Sequence, residues 1–438
     1  VRTLYIRSSA LALFAALLIS LAACATRSVC GECANGEVCD TSTRTCQAAP
    51  PDETTGGAGD TDGGDGDLPD DECEPGGVVC ADSTVTRCDD SGEVADETEC
   101  LLDCADDEQR CRAMVPSNGA GEFLEAAENQ EPISLTGDVV FDTDSGSLLD
   151  SNGDPVAVVS FPVEAPEDGV PLRVFVARGF QLDSATVHGA SALVLVATEG
   201  IDISGSLVVR SGAMPTQADC AGKPGTSVFN DETLRSGRGG AGSRDRGADG
   251  GDVLRATDIP GGLGGLAFDN PDLVPLRGGC PGGVPGGAVQ LVSETEIVLG
   301  DGAVIDANAD SSGASGGGVL LEAPRVALGE DAGIFANGSG GGGGPECGSG
   351  EGGRLDRTPA SGAQCTRSTF GDGGAGGTGA VSPLPGEPAS ANGSSDTYGG
   401  GGGGSAGYIR INTRNGSFES ALSTVFSPEP TTGPLLAE

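Results

Sequence analysis

The sequence predicts a mainly β protein: a right-handed parallel β-helix, or β-solenoid, with long Gly-rich loop insertions, preceded by small disulfide-rich modules and a disordered acidic tether. Three observations lead there. Large side chains are scarce: aromatics make up 3%, Trp is absent and 77 of the 438 residues are Gly. A thick globular core or a helical bundle therefore has too little to bury. Short apolar alternations recur through 115–438, and the cysteines fall into separate, even-numbered groups once Cys24 is set aside.

At the start, Arg2 and Arg7 precede the apolar stretch "ALALFAALLISLAA". It has the length of a signal-peptide h-region and ends in small residues, whereas a retained membrane span needs about 20 apolar residues. The initial Val reads as a non-ATG start translated literally. "LAAC" at 21–24 resembles the lipobox of bacterial lipoproteins. That resemblance implies a signal peptide over 1–23, cleavage before Cys24 and acylation of Cys24, followed by a lipidated tether over 24–29. Buried acyl chains contribute about 0.8 kcal/mol per methylene, so such an end stays in a bilayer. Ala25 stands where an Asp would signal inner-membrane retention, which points to the outer membrane. Lipidation also accounts for the odd total of 15 cysteines.

The first group, Cys30, Cys33, Cys39 and Cys46, defines a module over 30–47; the second, Cys73, Cys80, Cys88, Cys100, Cys104 and Cys111, defines another over 73–114. Neither segment has the apolar content to fold unaided. Disulfides are the expected staples, each contributing about 3 kcal/mol for a loop near 15 residues. Cys30-x-x-Cys33 has zinc-like spacing, but no His or second CxxC accompanies it, and export favours oxidation. Four cysteines allow three pairings and six allow fifteen, and spacing does not choose among them. Between the modules, 48–72 is acidic, Gly-rich and without a basic residue, a composition that reads as a tether. Asp60, Asp62, Asp65 and Asp67 approach an EF-hand start, but Asp65 falls where the loop requires Gly. Loose Ca²⁺ condensation is the expectation there, with no defined metal site and no cofactor.

From 115 onward the pattern becomes strand-like. "GGAVQLVSETEIVLGDGAVIDAN" (286–308) overlays "GGGVLLEAPRVALGEDAGIFAN" (316–337) with one gap. Val289 and Leu291 then meet Val319 and Leu321, Ile297 and Leu299 meet Val326 and Leu328, and Ile305 meets Ile334. Residues 192–209 carry the same pattern upstream, and 406–413 begin it again. Three such stretches per repeat read as coils of a parallel solenoid; a β-sandwich is the competing arrangement. Asn308 and Asn337 end equivalent strands and are expected to stack at a turn in the left-handed conformation. Residues 121–130 read as a short helix capping the open end. Gly-rich insertions near 212–285 and 338–405 each hold two of the last four cysteines, so the expected pairs are Cys220 with Cys280 and Cys347 with Cys365. Pairing between the insertions is the alternative.

The formal net charge of −42 disfavours nucleic acid, which needs the opposite balance. "AGKPG" lacks the Ser or Thr that follows a Walker lysine, and "GGAGSRD" puts Arg244 where a calcium β-roll needs Asp. His188, the single imidazole, sits in "TVHGAS" between apparent strands and reads as a turn or surface residue. No catalytic residue is assigned. The enzymatic alternative, a polysaccharide hydrolase or lyase, would use outward acids such as Asp202 and Asp306.

This arrangement of lipobox, Cys modules, acidic tether and Gly-looped solenoid resembles large envelope lipoproteins of myxobacteria, mostly without assigned functions. The resemblance implies an outer-membrane lipoprotein, lipid-anchored and non-enzymatic, that binds a glycan or a surface protein or serves a structural role. Whether it faces the surface or the periplasm stays open.

Overall fold

The computed structural model describes the strand backbones at 37–40 and 45–48, then 73–438 except residues 82, 106–108, 166–168, 211–218, 230–232, 256–257 and 392–395. The expected leader at 1–23, Cys24, Cys30, Cys33 and the segment 49–72 read as a tether lie outside the described residues. The chain divides into two compact units, Val1–Asp71 and Glu72–Glu438. In the first, Glu37–Asp40 pairs antiparallel with Thr45–Ala48, in a register that sets Cys39 opposite Cys46.

The second unit is mainly β and dominated by parallel pairing. Leu172–Ala177, Ala192–Ala197, Ala288–Ser293, Gly318–Glu322, Tyr408–Thr413 and Thr431–Pro434 form one parallel ladder, which Val159–Val163 joins antiparallel. A second ladder runs from Phe180–His188 through Ile201–Ile203, Glu296–Leu299 and Arg325–Leu328 to Glu419–Ser420. A third takes the later half of Phe180–His188 and continues through Ser206–Val209, Val304–Asp306 and Gly333–Phe335 to Val425–Ser427. Ile133–Asp142 adds a strand at the start of both, with a register shift between Leu182 and Ser184. The chain visits the three ladders in the same order from 192 to 427.

The register read from the repeats is realised: Val289 pairs with Val319, Leu291 with Leu321, Ile297 with Val326, Leu299 with Leu328 and Ile305 with Ile334. Their side chains form one buried interior of stacked small aliphatics, with Leu193, Leu195, Ile201, Ile203 and Leu207 in the preceding layer. Because strand side chains alternate, only one in two can enter this interior. The unbroken apolar run "ALVLVA" has a different cause: the first ladder is covered on both faces. Val174, Val176, Val194 and Val196 point to the outer side, against Ala120 and Ala127 of a 3₁₀ helix, Ser117–Phe123, and an α-helix, Leu124–Glu128. The short helix expected to cap the open end therefore lies along the flank of the first ladder. Its small apolar positions match those valines better than an end whose backbone groups need hydrogen bonds.

Residues 73–114 form a three-stranded antiparallel sheet, Val78–Ala81, Thr84–Cys88 and Val94–Glu99, around Val85, Cys80 and Cys100. Its bridges are Cys73–Cys88, Cys80–Cys104 and Cys100–Cys111. Leu102 and Met114 extend the outer layer of the first ladder. The C-terminus returns to this module: Ala113 and Glu438 exchange backbone hydrogen bonds of 2.8 and 3.0 Å. Arg414 pairs with Asp103, which also accepts a 2.6 Å bond from Ser83 Oγ.

The Gly-rich insertions are packed bodies rather than loose excursions. Both leave after the third ladder and re-enter at the first, and they interlace with each other. The clearest segment is 399–407. Its N–H groups at Gly399, Gly402 and Ser405 donate to Arg235, Arg238 and Ala241; those at Gly400 and Gly403 donate to Glu387 and Leu384; those at Gly401, Gly404 and Gly407 donate to Gly342, Ser339 and Ala336. The partner changes with each residue and returns every third. Three residues per turn without internal hydrogen bonds is the geometry of the polyproline II helix. Here the N–H groups that such a helix leaves to water bond sideways to neighbouring chains. Close approach is what demands glycine: a Cβ on Gly400 would lie 1.8 Å from Asp372 O, and one on Gly403 1.9 Å from Ala375 O. Cys220–Cys280 and Cys347–Cys365 each close within one insertion.

Two expectations follow. Gly403→Ala destabilises the chain by about 3 kcal/mol or more, because backbone rather than a side-chain end must yield. Gly342→Ala, whose added methyl meets nothing nearer than 4.0 Å, leaves urea unfolding within about 0.5 kcal/mol of wild type. The second concerns acid. The Ser83 hydroxyl, then Arg414, holds the Asp103 carboxyl below its ordinary range. A depressed folded-state pKa contributes stability above the unfolded value, near 3.9, that is lost as pH falls through the folded value. Protection factors for the described amides of 73–114, taken relative to the intrinsic exchange rate at each pH, should therefore fall in acid below about pH 4, and Asp103→Asn should shift that onset or flatten it.

Candidate ligand cleft in the glycine bundle

The three-residue repeat also creates a cleft. Segment 307–317 lies over the groove between 235–243 and 336–344: Ala241 N–H donates to Gly313 O, and Ser339 N–H to Ala314 O. At Ser312 the backbone takes φ 57° and the segment turns away. One step of three further along the flanking segments come Arg238 and Gly342. By the rotation just described, their N–H groups face the position that 307–317 no longer fills. A cleft of about 370 Å³ opens there, floored by Gly399, Gly401 and Gly402.

Its walls are unusual for so acidic a chain. Arg235 and Arg238 both line it and both are exposed, and among the described residues no acidic side chain does. They stand three residues apart, Arg235 at the end of the strand Thr233–Arg235. Arg238 is steadied by Nε–H donating to Gly222 O at 3.2 Å. Tyr398 closes one end, its ring held edge-on by Phe370 at 5.2 Å. Positive charge at its rim and backbone N–H groups in a slot lined largely by glycine are features suited to an anion. A second depression, about 590 Å³, lies where the second ladder begins; it is mostly aliphatic, with Ile133, Leu135, Val156 and Val158 in its lining.

The residues singled out from sequence fall elsewhere. Asp202 pairs in the second ladder, opposite Gln181 and Val298, and Asp306 in the third, opposite Val208 and Phe335. The Asp306 side chain is 3% exposed and is bound by Arg210 at 2.9 Å, which also reaches Asp310 at 3.1 Å. His188 is exposed at the end of its strand, where its carbonyl accepts from Thr143 N–H. Lys223 pairs with Asp219 at 3.3 Å. Asn308 and Asn337 do stack, with Asn337 N–H donating to Asn308 Oδ1 at 2.6 Å, but neither has a positive φ. Their amides instead reach outward to Arg354 O, so hydrogen bonding to a passing segment takes the place of a left-handed turn. Among the described residues, no three His, Cys, Asp or Glu side chains form a group that could hold a metal ion.

The cleft was missed because its residues look like filler. The available signal is "RSGRGG", two arginines at the period of the glycine helix. Comparison with family models, with curated proteins and with solved structures gives no match.

Proposed function

We propose that this chain is an envelope lipoprotein, anchored in the outer membrane through Cys24, with a non-enzymatic binding or adhesive role. In this reading the three ladders are successive sides of a right-handed parallel β-helix. Two facts support it: the fixed order in which the chain visits them, and the strong preference of parallel crossovers for the right hand. The helix and its glycine bundle form a stiff body that carries a binding surface away from the lipid.

The observation that carries the binding role is the basic cleft, whose floor and walls are fixed by backbone hydrogen bonds. Polysaccharide hydrolysis would ask for acids brought together on adjacent coils, whereas Asp202 and Asp306 sit on different ladders and Asp306 is bound to Arg210. The N-terminal apolar stretch and "LAAC" support the anchor. The test is membrane fractionation of cells expressing the full chain. Wild type should sediment with outer membranes and yield an acylated N-terminal peptide starting at Cys24. Cys24→Ala should shift most of the protein out of the acylated membrane pool. A wild-type peptide without acyl groups would overturn the anchor.

A further inference from the structure

We propose that the open start of the second ladder is a docking surface for a second copy of this chain, paired antiparallel along residues 132–136 about a two-fold axis through Ser134. This goes beyond the anchor and the binding role above and rests on neither. Ile133–Asp142 is the strand that begins the second and third ladders, and its outer edge is covered unevenly. Residues 140–142 pair there with Ser147–Leu149, whereas among the described residues 133–138 pair only with Phe180–His188 on the inner edge. Successive residues of a strand direct their backbone groups to opposite edges. Ile133 N–H donates inward to Gly179 O at 2.8 Å. Ser134 and Thr136 therefore turn both N–H and C=O outward, where no described backbone group meets them. Beside that edge lies the aliphatic depression of about 590 Å³, where Ile133, Leu135, Val156 and Val158 rest half-buried on the interior. The short helix lies on the flank and leaves this end open, and the module at 73–114 is tied to the far end through Arg414 and Glu438.

Hydrogen bonding and charge make a copy of the same edge its occupant. A residue that presents N–H and C=O on one edge exchanges both bonds with an identical residue across a two-fold axis, so Ser134 meets Ser134 of the second copy. Thr136 N–H then donates to Pro132 O of that copy, and Ile133 falls beside its Leu135, which joins the two interiors. In this register Glu131 stands opposite Gly137 and Asp138 opposite Gln130, so no like charges face each other directly, although the chain holds 65 acidic residues. The stretch 132–136 has no charged residue at all. The neighbouring outer strand, Val159–Val163, carries Pro162 instead, a residue that blunts an edge.

The test is sedimentation equilibrium of the full chain carrying Cys24→Ala, which keeps acyl groups out of the association. The parent should dimerise with a dissociation constant on the order of 10–100 µM, weak because the edge is short. Each copy is strongly acidic, so the dimer should tighten about threefold or more as salt rises from about 0.05 to about 0.5 M. Ser134→Asp and Ser134→Lys each set like charges against one another on the axis and should weaken dimerisation about fivefold or more. Thermal unfolding should not move, because Ser134 is exposed. Mixing the two variants should restore a dimer at least as tight as the parent, a result that requires residue 134 to face itself. A parent that stays monomeric to about 500 µM, equal dimerisation by S134D, or a mixture that stays monomeric would each overturn the proposal. So would a monomer whose Ser134 and Thr136 amides are protected from exchange, since residues 1–72 of the same chain would then be the occupant.

Discussion

Every buried peptide group needs a hydrogen-bond partner, and a chain so poor in large side chains must meet that demand with backbone against backbone. It does so in two ways. Where small aliphatics alternate, strands stack in register and each group bonds within its ladder. Where glycine dominates, the groups of a single segment bond to several neighbours in rotation. Gly403 shows the second solution: its N–H donates to Leu384 O while its carbonyl accepts from Ala248 N–H. The two regimes meet at one corner, where Gly287, Gly317 and Gly407 donate to the last residues before each crossing, so the glycine body is continuous with the ladders.

Much else depends on this continuity. The interior of the ladders is a narrow stack, with Phe141 edge-on to Phe175 near its start and Phe418 edge-on to Phe426 near its finish. The outer flank of the first ladder gains a second layer where Leu102, Met114, Leu273, Leu276 and the short helix lie over it. That attachment is held by a buried polar group rather than by area alone. Glu322, 2% exposed, accepts from the Ser117 backbone and hydroxyl, from Gln290 and from Asn412. Removing one partner would leave a buried carboxylate short of donors, which costs more than the bond itself contributes. The apolar helix is thus fixed in place by the polar residues just before it.

The strand register was legible because it is written in side chains. Val289 over Val319 and Ile305 over Ile334 follow from two stretches of one pattern laid edge to edge. The second buried face of "ALVLVA" was readable in principle, since a run without polar alternation has no solvent side. The position of the helix was not, because Ala126 and Ala127 fit either an end or a flank. The glycine body was hardest. Its ordering information lies in backbone direction, and a run such as 399–404 has no side chain in which to record which neighbour each residue addresses. The cleft inherits that difficulty: Arg235 and Arg238 line one cleft only once the path of the glycine segments is known.

The bundle also separates order from optical activity. Its segments take the three-residue turn of polyproline II, a major conformer of unfolded chains as well, so a large ordered body carries neither an α nor a β signature in the far ultraviolet. Spectra of this protein would resemble those of a half-unfolded chain, while its backbone amides, shielded by neighbours on several sides, exchange as slowly as those of a sheet. For such a molecule, compactness is a property of amides and volumes, and sequence complexity is a poor measure of either.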